Sequence, residues 1–109
     1  MSASHWFSKS YSDSRKRFIS SINELSNLGY KVKTDHLTIE AKGSDEEELT
    51  IDIAVIGSLR SEKILISSSG VHGVEGYPGS AIQLSIIDEM KRTIMFSDVC
   101  IIFIHSINP

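Results

Sequence analysis

The apolar residues of this chain change their spacing four times, and each change marks an element. Phe18, Ile22 and Leu25 recur at helical spacing behind Ser12 and Asp13, either of which can cap a helix. Asn27-Leu28-Gly29 supplies the stop, because Gly29 is free to take the left-handed conformation at a helix end. Leu49, Ile51, Ile53 and Val55 then alternate with Thr50, Asp52 and Ala54, a period of two that predicts a strand with unlike faces. Residues 30–41 read as its partner across a turn at residues 42–48, so the two predict an antiparallel hairpin.

Beyond Gly57 the apolar runs become continuous. Residues 64–67 predict a short strand, and Val99 to Ile104 has no polar interruption, as expected of a strand covered on both faces. Between them a helix is expected from about Pro78, whose fixed φ suits a first turn. Ile82, Ile86 and Met90 would form its apolar face, broadened by Ala81, Leu84 and Ile87. Strand, helix and strand over about forty residues predict a right-handed βαβ unit. The expected fold class is therefore α/β: the N-terminal part of a three-layer α/β/α domain with a mixed sheet, built as helix, antiparallel hairpin, then βαβ unit. Residues 1–109 read as a single incomplete domain, since a doubly wound fold normally continues past such a strand into another loop and helix.

Composition narrows the function classes. The chain has 109 residues, 40% hydrophobic and 23% charged, with a net charge of -3, so it carries no basic footprint for nucleic acid or anionic membrane. The N-terminus lacks a secretory pattern and no window approaches the ~20 apolar residues of a membrane span, which predicts a cytoplasmic protein. The single cysteine, Cys100, excludes an internal disulfide and lies in an apolar run, where a small buried hydrophobe is the expectation. The acidic run Asp45 to Glu48 reads as a solvated turn. Trp6 and Phe7 read as packing residues at an edge of the core.

The candidate chemistry sits in the glycine-rich stretch 67–80, between the short strand and the following helix. His72 and Glu75 stand three residues apart there, among Gly70, Gly73, Gly76 and Gly79. An imidazole nitrogen and a carboxylate oxygen are both ligands that zinc accepts. The spacing alone is weak evidence. The place is stronger, because loops at the carboxyl ends of strands are where open α/β sheets put their chemistry.

The run Ser69-Gly70-Val71-His72-Gly73-Val74-Glu75-Gly76, with Gly79-Ser80-Ala81 after it, resembles the first metal motif of the zinc carboxypeptidase superfamily, closest to a bacterial carboxypeptidase-like branch. Asn108-Pro109 after the last strand resembles that family's next landmark. The resemblance implies that His72 and Glu75 are two zinc ligands of a metallohydrolase cleaving an amide in a peptide or acyl-amino acid. It also implies a third ligand (a histidine), a substrate-anchoring arginine and a glutamate base, all expected beyond Pro109, so the chain as given is expected to be inactive alone.

His105 and Asn108 are candidates to line the cleft, and His105 could substitute as a third ligand. The commoner role for a histidine there is a hydrogen bond at a strand end. Ser80 is expected to act locally in the first helical turn, and His36 to lie in the hairpin without a ligand partner. Two other functions remain open on the residues. Val71-His72-Gly73 could be the oxyanion loop of a serine α/β-hydrolase. The chain could also be a non-catalytic binding module that self-associates through an exposed last strand.

Overall fold

The computed structural model describes residues 8, 10–42, 46–70, 76–92 and 99–106. Within them the chain runs α1 (Tyr11–Asn27), β1 (Val32–Lys42), β2 (Glu48–Ile56), β3 (Lys63–Ser68), α2 (Gly76–Arg92) and β4 (Val99–His105). The four strands make one mixed sheet in the order β1-β2-β4-β3. β1 and β2 pair antiparallel as the expected hairpin, β2 and β4 also pair antiparallel, and β3 and β4 pair parallel around α2. The mixed α/β architecture of helix, hairpin and βαβ unit is the one the apolar pattern predicts.

Local signals explain most boundaries, with corrections. The cap of α1 is Ser10 rather than Ser12 or Asp13: Ser10 is extended (φ -157°, ψ 170°) and its Oγ accepts the Asp13 N–H at 3.1 Å. Gly29 ends the helix at φ +101°, the conformation that a residue without Cβ takes at least cost. Phe18, Ile22 and Leu25 are buried as expected. They meet Tyr30, Ala54, Ile56, Ile87, Met90 and Phe103 in the core. Phe18 packs edge-on against Phe103, ring centroids 6.3 Å apart. Each fully buried side chain of this size contributes about 1.5–3 kcal/mol of transfer free energy.

The apolar face of α2 is rotated from the one predicted. Ile82 is 60% exposed and Ile86 is half-buried, whereas Ser80, Gln83, Leu84, Ile87 and Met90 point inward. A run in which almost every position is apolar does not fix a face. The buried polar pair Ser80 and Gln83 does, because both find partners on the sheet.

Both helices lie on one face of the sheet and pack against each other, Tyr30 Oη closing the arrangement by donating to the Met90 carbonyl at 2.9 Å. Of the three layers expected, the described elements supply sheet and one helical layer. Among the described residues, helices cover only one face of β4. Phe103 and His105 point under the helices, while Ile102 and Ile104 on the opposite face are only half-buried. β4 is also flanked by β2 and β3, so the last strand offers no free edge; among the described strands the free edges belong to β1 and β3. Cys100 is fully buried, as a small hydrophobe would be.

Candidate functional site

Because β3 and β4 are parallel neighbours, their carboxyl ends leave the sheet side by side. β2 is antiparallel to β4, so its beginning lies at the same edge: Asp52 stands opposite His105 in the register. Tyr11, the first residue of α1, reaches Thr50, and α2 starts after the loop that leaves β3, which brings both helix N-termini to this edge as well.

The buried groups of the domain are sorted along the same axis. The buried polar residues among those described are Ser14, Thr50, Asp52, Ser69, Ser80, Gln83, His105 and Ser106. They lie in or just beyond the parts of their elements nearest this edge, Asp52 and Gln83 nearest the middle, whereas most of the apolar core, from Ile22 and Leu25 to Ile56, Ile87 and Met90, lies toward the other ends. Burying hydroxyl, amide, imidazole and carboxylate groups costs free energy unless each is hydrogen-bonded. A sheet that only needed stability would fill this end with aliphatic side chains too.

Two bonded sets hold all of these groups but Ser14, whose Oγ donates to the Tyr11 carbonyl at 2.8 Å. In the first, Thr50 N–H donates to Tyr11 Oη at 2.6 Å and Tyr11 Oη donates back to the Thr50 carbonyl at 2.8 Å. Thr50 Oγ1 donates to Asp52 Oδ2, and Arg15 forks onto the same carboxylate through Nε at 2.9 Å and Nη2 at 3.2 Å. The bond to Asp52 pushes the Arg15 guanidinium further into its charged form. A two-point guanidinium–carboxylate contact fixes angle as well as distance, so α1 is held on β2 in one orientation.

The second set ties the ends of β3 and β4 to α2. Ser69 N–H donates to the Ile104 carbonyl at 3.0 Å, and Ser106 N–H donates to Ser69 Oγ at 3.0 Å. The Gln83 amide nitrogen donates to the Ser67 carbonyl at 2.9 Å and to the Ile104 carbonyl at 3.0 Å. Ser80 Oγ lies 3.1 Å from His105 Nε2. Both strands turn away through left-handed residues, Gly70 at φ +73° and Ser106 at φ +55°. A serine in that region costs energy unless neighbours hold it, and its amide is held by Ser69.

His105 therefore does not line an open cleft. It is 0% exposed, stacked 4.9 Å from Phe18, and bonded to Ser80 through Nε2, while its buried Nδ1 has no hydrogen-bond partner among the described residues. Burial lowers its pKa to about 4, with the Asp52 charge opposing and Arg15 assisting, so the ring is neutral at pH 7. Ser80 acts at long range on this ring rather than locally in its own turn. Gln83 was not anticipated as a site residue; the available signal was an isolated amide within an otherwise apolar helix face. His36 lies in β1 as expected.

The predicted ligands His72 and Glu75 lie outside the described residues, as do Asn108, Pro109, Trp6 and Phe7. What is described is the frame on either side of the motif: Ser69 before it, and Ser80 and Gln83 after it, bonded to the ends of β3 and β4 through the second set. Among the described residues no group of three His, Cys, Asp or Glu could hold a metal ion. No helix of the described residues is long and apolar enough to cross a membrane.

Residues 7–109 match the family model described as a protein of unknown function, DUF2817. No curated protein matches the sequence. Among solved structures, similarity is found to glutaminyl cyclase of Macrostomum lignano, with TM-score 0.47 and 18% identity over 90% of this chain and 31% of that one. Glutaminyl cyclase of Tannerella forsythia gives TM-score 0.46 and 13% identity over 92% and 40%. A Zn-dependent exopeptidase from Parabacteroides distasonis gives 0.44 and 12% over 87% and 44%. The chain spans less than half the length of each of these.

Proposed function

We propose that this chain, which belongs to the DUF2817 family, carries part of the active site of a zinc-dependent hydrolase, with His72 and Glu75 as two of the metal's ligands. The observation that carries the reading is the concentration of buried polar groups at the edge from which the motif loop leaves. Loops at this position of an open α/β sheet hold ligands, and a bonded polar frame beneath one makes its ends rigid.

The donor set fits the ion: an imidazole nitrogen and a carboxylate oxygen are ordinary zinc ligands, and the buried side chains beside the end of β3 (Ser69, Ser80, Gln83) are polar. When bound, zinc supplies a Lewis acid that polarises an acyl carbonyl and activates water for attack. The chain's own residues supply placement. Gln83, Ser69 and Ser80 hold the ends of β3 and β4 and the start of α2, so that the loop between them is anchored at both ends. The substrate class we assign is a peptide or acyl-amino acid cleaved at an amide near its C-terminus, following the likeness of the His72–Glu75 motif to zinc carboxypeptidases.

The test is metal content. The full-length protein, in which the third ligand is expected, should retain about one ion per chain after zinc loading and removal of free metal, and His72→Ala should lose it. Protein that stays metal-free under the same treatment would sink the reading.

A further inference from the structure

We infer that Gln83 is the positioning residue of the motif loop: its amide holds the carboxyl ends of β3 and β4 at a fixed separation and thereby sets where His72 and Glu75 can meet an ion. The metal half of this statement rests on the function proposed above; the clamp itself rests on described residues.

Gln83 sits in the second turn of α2 and is 1% exposed. Both partners of its amide are main-chain carbonyls, Ser67 of β3 and Ile104 of β4. Only an NH₂ group can serve two acceptors at once, so the orientation of the amide is dictated by the network. The two carbonyls belong to adjacent parallel strands at the places where they end. Ile104 O accepts a second bond, from Ser69 N–H, the first residue beyond β3. Gln83 thus closes a bridge between the residue before the loop and the neighbouring strand, from a helix that begins immediately after the loop. Gly79 admits this contact, because a Cβ there would lie 2.9 Å from the Ser69 Cβ.

A buried glutamine at this place is not explained by packing alone. Leu or Met would fill the volume without desolvating an amide, and the Ser67 and Ile104 carbonyls would then lose a donor. Its Oε1 has no partner among the described residues, so the amide is retained for its donor end. Residues that orient metal ligands from behind are worth about 10–100-fold in metal affinity when removed.

The experiment compares full-length wild type, Gln83→Met and Gln83→Glu in two measurements. The first is hydrogen exchange of the Ser69 and Ser106 amides without metal. The second is zinc affinity by competition with a chromophoric chelator. Gln83→Met keeps the volume and removes both donors; Gln83→Glu keeps the shape and turns an acceptor toward two carbonyls. Both variants should exchange at least tenfold faster at Ser69 and Ser106, while amides of α1 keep wild-type protection. Zinc affinity should fall about tenfold or more. Exchange at Ser69 and Ser106 unchanged in Gln83→Met would overturn the clamp, and faster exchange with zinc affinity within twofold of wild type would overturn its bearing on the metal. Wild-type protein that takes no zinc would overturn the metal reading and leave the clamp to be decided by exchange alone. Should Gln83→Glu fail to fold, Gln83→Met decides both points.

Discussion

Gly79 in α2 and Ser69 after β3 are so close that a Cβ on the glycine would stand 2.9 Å from the Ser69 Cβ and 3.2 Å from its Cα. The first turn of the helix therefore rests on the strand end with no side chain between them. Alanine normally improves a helix by about 1 kcal/mol over glycine. Here the methyl meets backbone-anchored atoms rather than the tip of a flexible side chain, and overpacking of that kind costs about 1–3 kcal/mol. Gly79→Ala is expected to lower stability by about 1–2 kcal/mol in urea unfolding, against the direction that helix propensity alone gives.

His105 gives a pH signature. Its pKa is about 4 in the folded protein against an ordinary 6.5, chiefly because burial under Phe18 penalises the charged ring. Between those values the unfolded chain binds a proton that the folded one does not, so stability is complete above pH 6.5 and falls as pH drops toward 4. The contribution is on the order of 3 kcal/mol across that window. Urea unfolding at pH 7, 6, 5 and 4 should show the decline, and His105→Phe should flatten the part between 6.5 and 5. An NMR titration in which the His105 ring protonates near pH 6.5 without unfolding would contradict the assignment.

The Arg15–Asp52 fork is expected to matter more than a surface ion pair. The Asp52 side chain is 7% exposed and the Arg15 side chain 33%. Removing the arginine leaves a buried carboxylate with the Thr50 hydroxyl as its remaining described donor. Arg15→Met is expected to cost about 1–3 kcal/mol. Asp52→Asn, which keeps one acceptor oxygen for the guanidinium, should cost less. Thermal unfolding of the two variants side by side checks the order.

β3 makes the opposite case. Ile66 is 62% exposed, and Ile64 shares its face of the sheet. Ile66→Lys should leave stability within about 0.5 kcal/mol, as for surface substitutions generally. A charge on an exposed apolar edge strand should also reduce association. Sedimentation at rising concentration should show less self-association in the variant than in wild type.

These contrasts show which parts of the fold were legible in the sequence. The hairpin was, because Leu49 to Val55 alternates strictly and a one-residue slip would invert every side chain. The end of α1 was, because Gly29 has a conformational role few residues share. The face of α2 was not, since Ile82, Ile86 and Ile87 offer nearly equivalent apolar sides until Ser80 and Gln83 find partners on β3 and β4. The covering of β4 was misjudged for a related reason: an unbroken apolar run records what a strand tolerates, not how many layers of this chain lie over it. His105 was ambiguous until its stacking on Phe18 placed it in the core. The strand–loop–helix order around His72 points to the carboxyl end of β3 as a place for chemistry, whereas the polar frame at that edge joins residues 14 to 106 and has no local pattern to read.

The central claim is that His72 and Glu75 hold zinc, and metal content tests it most directly. Full-length wild type, His72→Ala and Glu75→Ala should be saturated with zinc, freed of unbound ion and assayed by atomic absorption. The account predicts about one zinc per wild-type chain and a large loss in each variant with the fold intact by circular dichroism. Zinc absent from wild type, or retained undiminished in His72→Ala, would contradict it.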